Sequence, residues 1–161
     1  MIFLGDSNAL RADIPGNRSE GGLGWTYLRY YEIGSHILRE KPDLFVFALG
    51  LNDLIRGGED IDGGTREHVA HMRMRDIIKS VRQHCDVAVC GVLGVELSSN
   101  WPAFQLTPAC WNKHIVKPAC EELDAMYIPH FPNPVFEEDG IHIKNVQENA
   151  DWVMSHFEDY W

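Results

Sequence analysis

Four short runs of the chain, residues 1–4, 44–49, 87–93 and 126–129, are built almost wholly from aliphatic and aromatic residues and are bounded by Gly, Pro, Asp or His. Runs of this length without polar alternation predict strands buried on both faces, as in a parallel sheet. Between and after them, residues 27–40, 66–84, 108–123 and 146–160 carry apolar positions at helical spacing. In the second of these, Val69, Met72, Ile77, Ile78 and Val81 fall toward one face, and Arg73, Asp76, Lys79 and Arg82 are predicted to meet water. Strands alternating with helices predict an open α/β sheet whose functional residues gather at the carboxyl ends of the strands. Two long loops, 56–65 with Gly57, Gly58, Gly63 and Gly64, and 96–107 with Trp101 and Phe104, follow the second and third strands and are expected beside a bound substrate.

Composition narrows the picture without changing it. A chain of 161 residues that is 45% hydrophobic can bury a core without metal or disulfide support, and with no repeat or linker it is expected to form a single domain, 1–161. No stretch approaches the roughly 18–20 apolar residues of a membrane helix, and no secretion signal is visible, so membrane partners are not expected and the cytoplasm is the default location. Met1 abuts the first strand, which leaves room for a longer natural polypeptide. The formal charge of -10 repels phosphate backbones, so nucleic acid is not an expected partner. Cys85, Cys90, Cys110 and Cys120 form no C-x-x-C pair and are expected to be small buried residues rather than disulfide or metal partners. Composition does not set an oligomeric state.

Three segments carry candidate chemistry. In Phe3-Leu4-Gly5-Asp6-Ser7-Asn8 a strand ends in a turn and presents the Ser7 hydroxyl, although Ser and Asp at that point also read as ordinary helix caps. In Phe47-Ala48-Leu49-Gly50-Leu51-Asn52-Asp53 a second strand ends in an amide suited to donate to an oxyanion, or equally to close a local Asx turn. In Asp139-Gly140-Ile141-His142 a carboxylate three residues before an imidazole can fold back, fix its tautomer and stabilise its protonated form; the bland alternative is a solvated acidic loop.

Taken in order, Gly-Asp-Ser, Gly-x-Asn-Asp and Asp-x-x-His make the chain resemble the SGNH (GDSL-like) hydrolase family over nearly its whole length. The resemblance implies a three-layer α/β/α, flavodoxin-like sandwich with a mostly parallel sheet of about four to five strands. It further implies a serine esterase that hydrolyses short acyl or O-acetyl esters, including esters of carbohydrates, through an acyl-enzyme and without a cofactor. In that scheme Ser7 is the nucleophile, His142 the general base and Asp139 its orienting partner. The Ser7 backbone N–H and the Asn52 side chain are two oxyanion donors. A glycine between the first two motifs is the third, with Gly24 the closer match and Gly22 the alternative. Two departures stand out. The polar stretch between Ser7 and Gly24 has no apolar run for the family's second strand, which is expected to be reduced to a loop. Asn8 stands where Leu is common, altering packing or a polar contact beside the nucleophile.

Other residues carry chemistry of their own. His68 and His71 are spaced for a shared metal ion but lack an evident third ligand, so no metal is expected. Trp101 and Phe104 are candidates for the wall of a substrate pocket, and Arg56 for contact with an anionic substrate group. The main alternatives are an SGNH-like module that binds a glycan or protein without turnover, and a nucleotide binder using residues 5–8. The latter lacks the G-x-x-x-x-G-K spacing of a phosphate loop.

Overall fold

The computed structural model describes residues 1–94 and 106–160. Strands β1 (Ile2–Gly5), β2 (Leu44–Ala48), β5 (Asp86–Cys90) and β6 (Met126–Ile128) form one sheet in the order β1-β2-β5-β6, every neighbouring pair parallel. Side chains of alternate residues leave opposite faces of this sheet. Ile2, Leu4, Phe45, Phe47, Val87 and Val89 enter one core, and Phe3, Leu44, Val46, Ala88, Cys90 and Ile128 enter the other. Burial on both faces explains why each run lacks polar alternation.

Helices cover both faces, giving three layers. Helix α1 (Ser7–Leu10) and helix α7 (Val146–Met154) lie on the second core, through Ala9, Ala150 and Val153. On the first core lie α2 (Tyr30–Glu40), α3 (Leu51–Ile55), α4 (Arg66–Val81) and the pair α5 (Pro108–Trp111) and α6 (Lys117–Glu122). The second strand implied by the family resemblance is reduced to one parallel bridge, Phe3 with Asn17, held by Phe3 N–H to Gly16 O (3.0 Å) and Arg18 N–H to Phe3 O (2.7 Å). The polar stretch 11–24 therefore runs along the edge of β1 as a loop, and the sheet has four strands among the described residues.

Several helix expectations are corrected in detail. In α4 the core face is Ala70, Met74, Ile77, Ile78 and Val81, whereas Met72 is 49% exposed and Val69 only partly buried. Arg73, expected in water, is half-buried because its guanidinium donates to the carbonyls of Thr26 (2.7 Å) and Leu28 (2.6 Å). Helix α2 starts at Tyr30 rather than Tyr27, since Gly24 O is taken by the N–H groups of Tyr27 and Leu28 in a separate turn. It ends where Lys41 turns left-handed (φ 43°) ahead of Pro42. The continuous helix expected over 108–123 is interrupted by a π-turn at Asn112–Val116. Pro118 lacks an N–H and its ring crowds the carbonyl four residues back, and the wider turn absorbs that clash. The last helix likewise gives way to a 3-10 segment at Ser155–Tyr160, with Phe157 off helical geometry.

The loop 56–65 contains a short antiparallel hairpin, β3 (Asp60–Ile61) with β4 (Gly64–Thr65). Trp101 and Phe104 lie outside the described residues. No helix of the described residues is long and apolar enough to cross a membrane. Cysteine burial follows expectation for Cys90 and Cys120, whose thiols burial pushes up to about 12, but Cys110 is exposed on the outer side of α5 and Cys85 is partly buried.

Candidate active site

Three loops leave the carboxyl ends of β1, β2 and the β6–α7 connection and meet at one edge. Gly5 ends β1 beneath α1, where a Cβ would stand 2.5 Å from the Cβ of Ala9, so only glycine permits this close turn. Asp6 then caps α1, its carboxylate accepting the Asn8 N–H (2.9 Å), and Ser7 becomes the first helical residue. Burial pushes the Asp6 carboxyl up to about 6, against the hydrogen bond from Asn8 and the nearby His142, which favour its charge.

Ser7, His142 and Asp139 are brought together as the sequence expects. Ser7 Oγ lies 2.9 Å from His142 Nε2, and His142 Nδ1 lies 2.5 Å from Asp139 Oδ2. The second oxygen of Asp139 accepts the backbone N–H groups of Ile141 and His142, each at 2.9 Å. Partial burial raises the Asp139 pKa, but the hydrogen bond from His142 and the two backbone donors outweigh it and hold the carboxyl near 2. A carboxylate ionised throughout the neutral range thus faces one ring nitrogen and a hydroxyl the other. The acidic run beside them is partly neutralised, because Arg11 pairs with Glu137 (2.9 Å). Arg11 also donates to Ile143 O (3.2 Å), and Phe136 bridges Ile143, so the His142 loop is tied at both ends.

Asn8, which the family pattern marked only as a departure, has a defined place. Its side chain is 4% exposed; Oδ1 accepts the Ile143 N–H (3.0 Å) and Nδ2 donates to Ile141 O (3.3 Å). One amide therefore joins the residue after the nucleophile to both neighbours of the histidine. Sequence spacing carries no signal for this contact, which spans 135 positions.

Asn52 and the glycine turn also meet. The chain leaves β2 at Gly50, whose φ of 124° excludes ordinary side chains, and enters α3. Asn52 Nδ2 donates to Leu23 O at 2.9 Å, leaving its second N–H for another acceptor. The carbonyl of Leu23 and the N–H of Gly24 belong to one trans peptide and point in opposite directions. The Gly24 N–H is therefore turned away from the Asn52 amide. Gly24 serves a different contact: a Cβ there would stand 2.6 Å from Asp53 Oδ2. Asp53 is fully buried and reaches back to accept from Trp25 N (2.8 Å), Thr26 N (3.1 Å) and Thr26 Oγ1 (2.7 Å). Asp53 thus braces a turn 27 and 28 positions back along the chain. Burial raises its pKa, opposed by those donors and by Arg66. Gly22, by contrast, is exposed in open space with a φ of 76°.

Arg56 caps the end of α3, one turn beyond Asn52, and donates to Tyr27 Oη. His68 is exposed and His71 partly buried, and no group of three or more metal-ligating side chains occurs among the described residues.

No protein-family profile matches the sequence, and no characterised protein matches it at the level of sequence. Solved structures do match. A proposed acylhydrolase of Bacteroides fragilis superposes with a TM-score of 0.73 at 16% identity, over 99% of this chain and 84% of its own. A GDSL-like lipase of Bacteroides thetaiotaomicron gives 0.71 at 14% identity, over 99% and 85%. The acetyl xylan esterase AlAXEase gives 0.69 at 15% identity, over 96% and 98%. The four-stranded parallel sheet, its two helical layers and the placing of the three motif loops at its carboxyl edge thus make this the fold of the GDSL-like, or SGNH, hydrolases.

Proposed function

We propose that this protein is a serine esterase that hydrolyses a carboxylic ester through an acyl-enzyme. The observation that carries the reading is the chain of contacts from Ser7 Oγ to His142 Nε2 (2.9 Å) and from His142 Nδ1 to Asp139 (2.5 Å) at the sheet's carboxyl edge. Ser7 Oγ attacks the ester carbonyl while His142 Nε2 takes its proton, and Asp139 stabilises the resulting imidazolium. The tetrahedral oxyanion is held by the Ser7 N–H, by the Asn52 N–H not engaged by Leu23, and by a glycine N–H of the preceding turn. Gly22 replaces Gly24 as the favoured third donor, because the Leu23–Gly24 peptide directs the Gly24 N–H away from Asn52. Collapse of the intermediate expels the alcohol, which takes the proton from His142 and leaves the acyl group on Ser7. Water, deprotonated by the same nitrogen, then releases the acid and restores the serine.

The acyl group in this reading is short, acetyl or a few carbons longer, and a carbohydrate is a candidate for the alcohol part. The similarity to an acetyl xylan esterase supports that choice. Turnover of p-nitrophenyl acetate, butyrate and longer esters by the native chain and Ser7→Ala tests it. The native chain is expected to favour the shortest ester, and Ser7→Ala to lose at least about 100-fold in kcat/KM. Equal rates for the two would refute the esterase reading and leave a binding module in its place.

A further inference from the structure

Beyond the ester carbonyl, the surface next to Asn52 has a cation with no carboxylate partner among the described residues. Two contacts join α3 to the turn that precedes α2, and they repeat at the same spacing on both sides. Asn52 Nδ2 donates to Leu23 O, and four residues later on each segment Arg56 Nη1 donates to Tyr27 Oη (2.5 Å). Residues four apart on a helix share a face and are separated by about 6 Å along its axis. Arg56, the residue that caps the end of α3 with its N–H on Asn52 O (3.4 Å), therefore stands on the Asn52 side, about one turn along the helix.

The guanidinium is held in place before any ligand arrives. It lies 5.5 Å from the centre of the Tyr27 ring as well as bonding its hydroxyl. The ring itself is braced by Arg66, 4.8 Å from its centre, and Arg66 is buried and paired with Glu59 at 2.7 Å. The positive charge of Arg66 is thus already matched, whereas Arg56 has no ion pair among the described residues. Arg11, Arg18, Arg29, Arg75 and Arg82 likewise have a carboxylate partner, whereas Arg39 and Arg73 have none among the described residues, Arg73 being taken up by two backbone carbonyls. With Nη1 committed to a phenol, Arg56 keeps Nη2 and Nε as donors, and two parallel N–H groups suit a carboxylate. A side chain fixed in advance loses less entropy on binding than a free one.

We propose that Arg56, anchored by Tyr27, binds the alcohol portion of the substrate, and that the preferred esters carry a carboxylate there, about one sugar ring from the scissile bond. This rests on the esterase reading for the position of the scissile bond, and it adds the class of leaving group: a uronic acid or similar hydroxy acid rather than a neutral sugar.

The test compares a monoacetylated methyl glucoside with the matching methyl glucuronide, acetylated at the same hydroxyl, alongside p-nitrophenyl acetate. The native chain is expected to favour the glucuronide by about five- to tenfold in kcat/KM, mainly through KM, with the preference fading at about 0.5 M salt. Arg56→Gln is expected to erase the preference, and Arg39→Gln, an exposed arginine on α2, to leave it in place. A native chain without preference, or a preference that survives Arg56→Gln, overturns the proposal. Binding separates this outcome from a failure of the esterase reading. Titration of the acetylated glucuronide into Ser7→Ala is expected to give a Kd about five- to tenfold tighter than into Ser7→Ala with Arg56→Gln. Equal affinities overturn the subsite whether or not any ester is turned over, whereas absence of Ser7-dependent turnover of p-nitrophenyl acetate overturns only the esterase reading.

Discussion

Replacing Asn8 by Leu removes the polar contacts of that side chain while keeping its branched shape and its number of heavy atoms. Asn8 is buried, and its amide satisfies the Ile143 N–H at 3.0 Å and Ile141 O at 3.3 Å. Leucine leaves both backbone groups without these partners in a region where Ile141 and Ile143 are themselves buried. An orphaned buried N–H costs about 1–3 kcal/mol, and the longer bond to the carbonyl adds on the order of 0.5 kcal/mol. Burying leucine in place of an amide returns about 1–2 kcal/mol, so the net loss centres on about 1 kcal/mol, or roughly 2–4 °C in Tm. The effect on turnover is expected to be larger than that stability change implies. His142 sits between the two contacts, and a displacement of about 1 Å relative to Ser7 is enough to cost on the order of 100-fold in rate. Hydrolysis of p-nitrophenyl acetate by Asn8→Leu is therefore expected to fall about 10- to 100-fold in kcat with KM little changed, at a temperature where the variant is fully folded. Labelling of Ser7 by a fluorophosphonate is expected to slow in parallel. A variant whose kcat matches the native chain would refute the idea that Asn8 positions the histidine, and a changed KM with constant kcat would place its influence on substrate instead.

Two further outcomes follow from groups buried behind the site. Gly24→Ala drives a Cβ to within 2.6 Å of Asp53 and disturbs its bonds to Trp25 and Thr26, so thermal unfolding is expected about 3 kcal/mol earlier, roughly 6–12 °C; an unchanged Tm would contradict the brace. Asp6 has a pKa raised to about 6 in the fold against 3.8 ordinarily, so the folded state holds its proton more tightly than the unfolded state. Its contribution is neutral below pH 4, turns unfavourable as pH rises from about 4 to 6, and is constant above that range. The stability of Asp6→Asn relative to the native chain, from urea unfolding, is accordingly expected to rise by on the order of 3 kcal/mol across that interval. A difference independent of pH would show that folding leaves the carboxyl's pKa unshifted.

Much of this molecule follows from short-range order. The uninterrupted apolar runs locate all four sheet strands to within a few residues, since a strand buried on both faces leaves no room for a polar position. The missing apolar run between Ser7 and Gly24 likewise foretells that the edge of β1 is met by a loop, seen as the bridge from Phe3 to Asn17. The partners of Ser7 are legible too, because each motif sits at a strand end or before the final helix and a parallel sheet carries such ends to one edge. Local pattern falls short where polar groups choose distant partners. Arg73 reads as a solvated helix residue but is drawn inward by two carbonyls some 45 positions away, and Met72 is left outside while Met74 fills the core. Asp53 braces the turn at Trp25, Asn8 clasps both sides of His142, and the peptide preceding Gly24 turns its N–H away from Asn52. Apolar burial is set by periodicity along one element, so the sequence by itself determines the layers and the edge at which chemistry is placed. A hydrogen bond is set by direction and a few tenths of an ångström, and only the packed tertiary structure decides which donors face that edge.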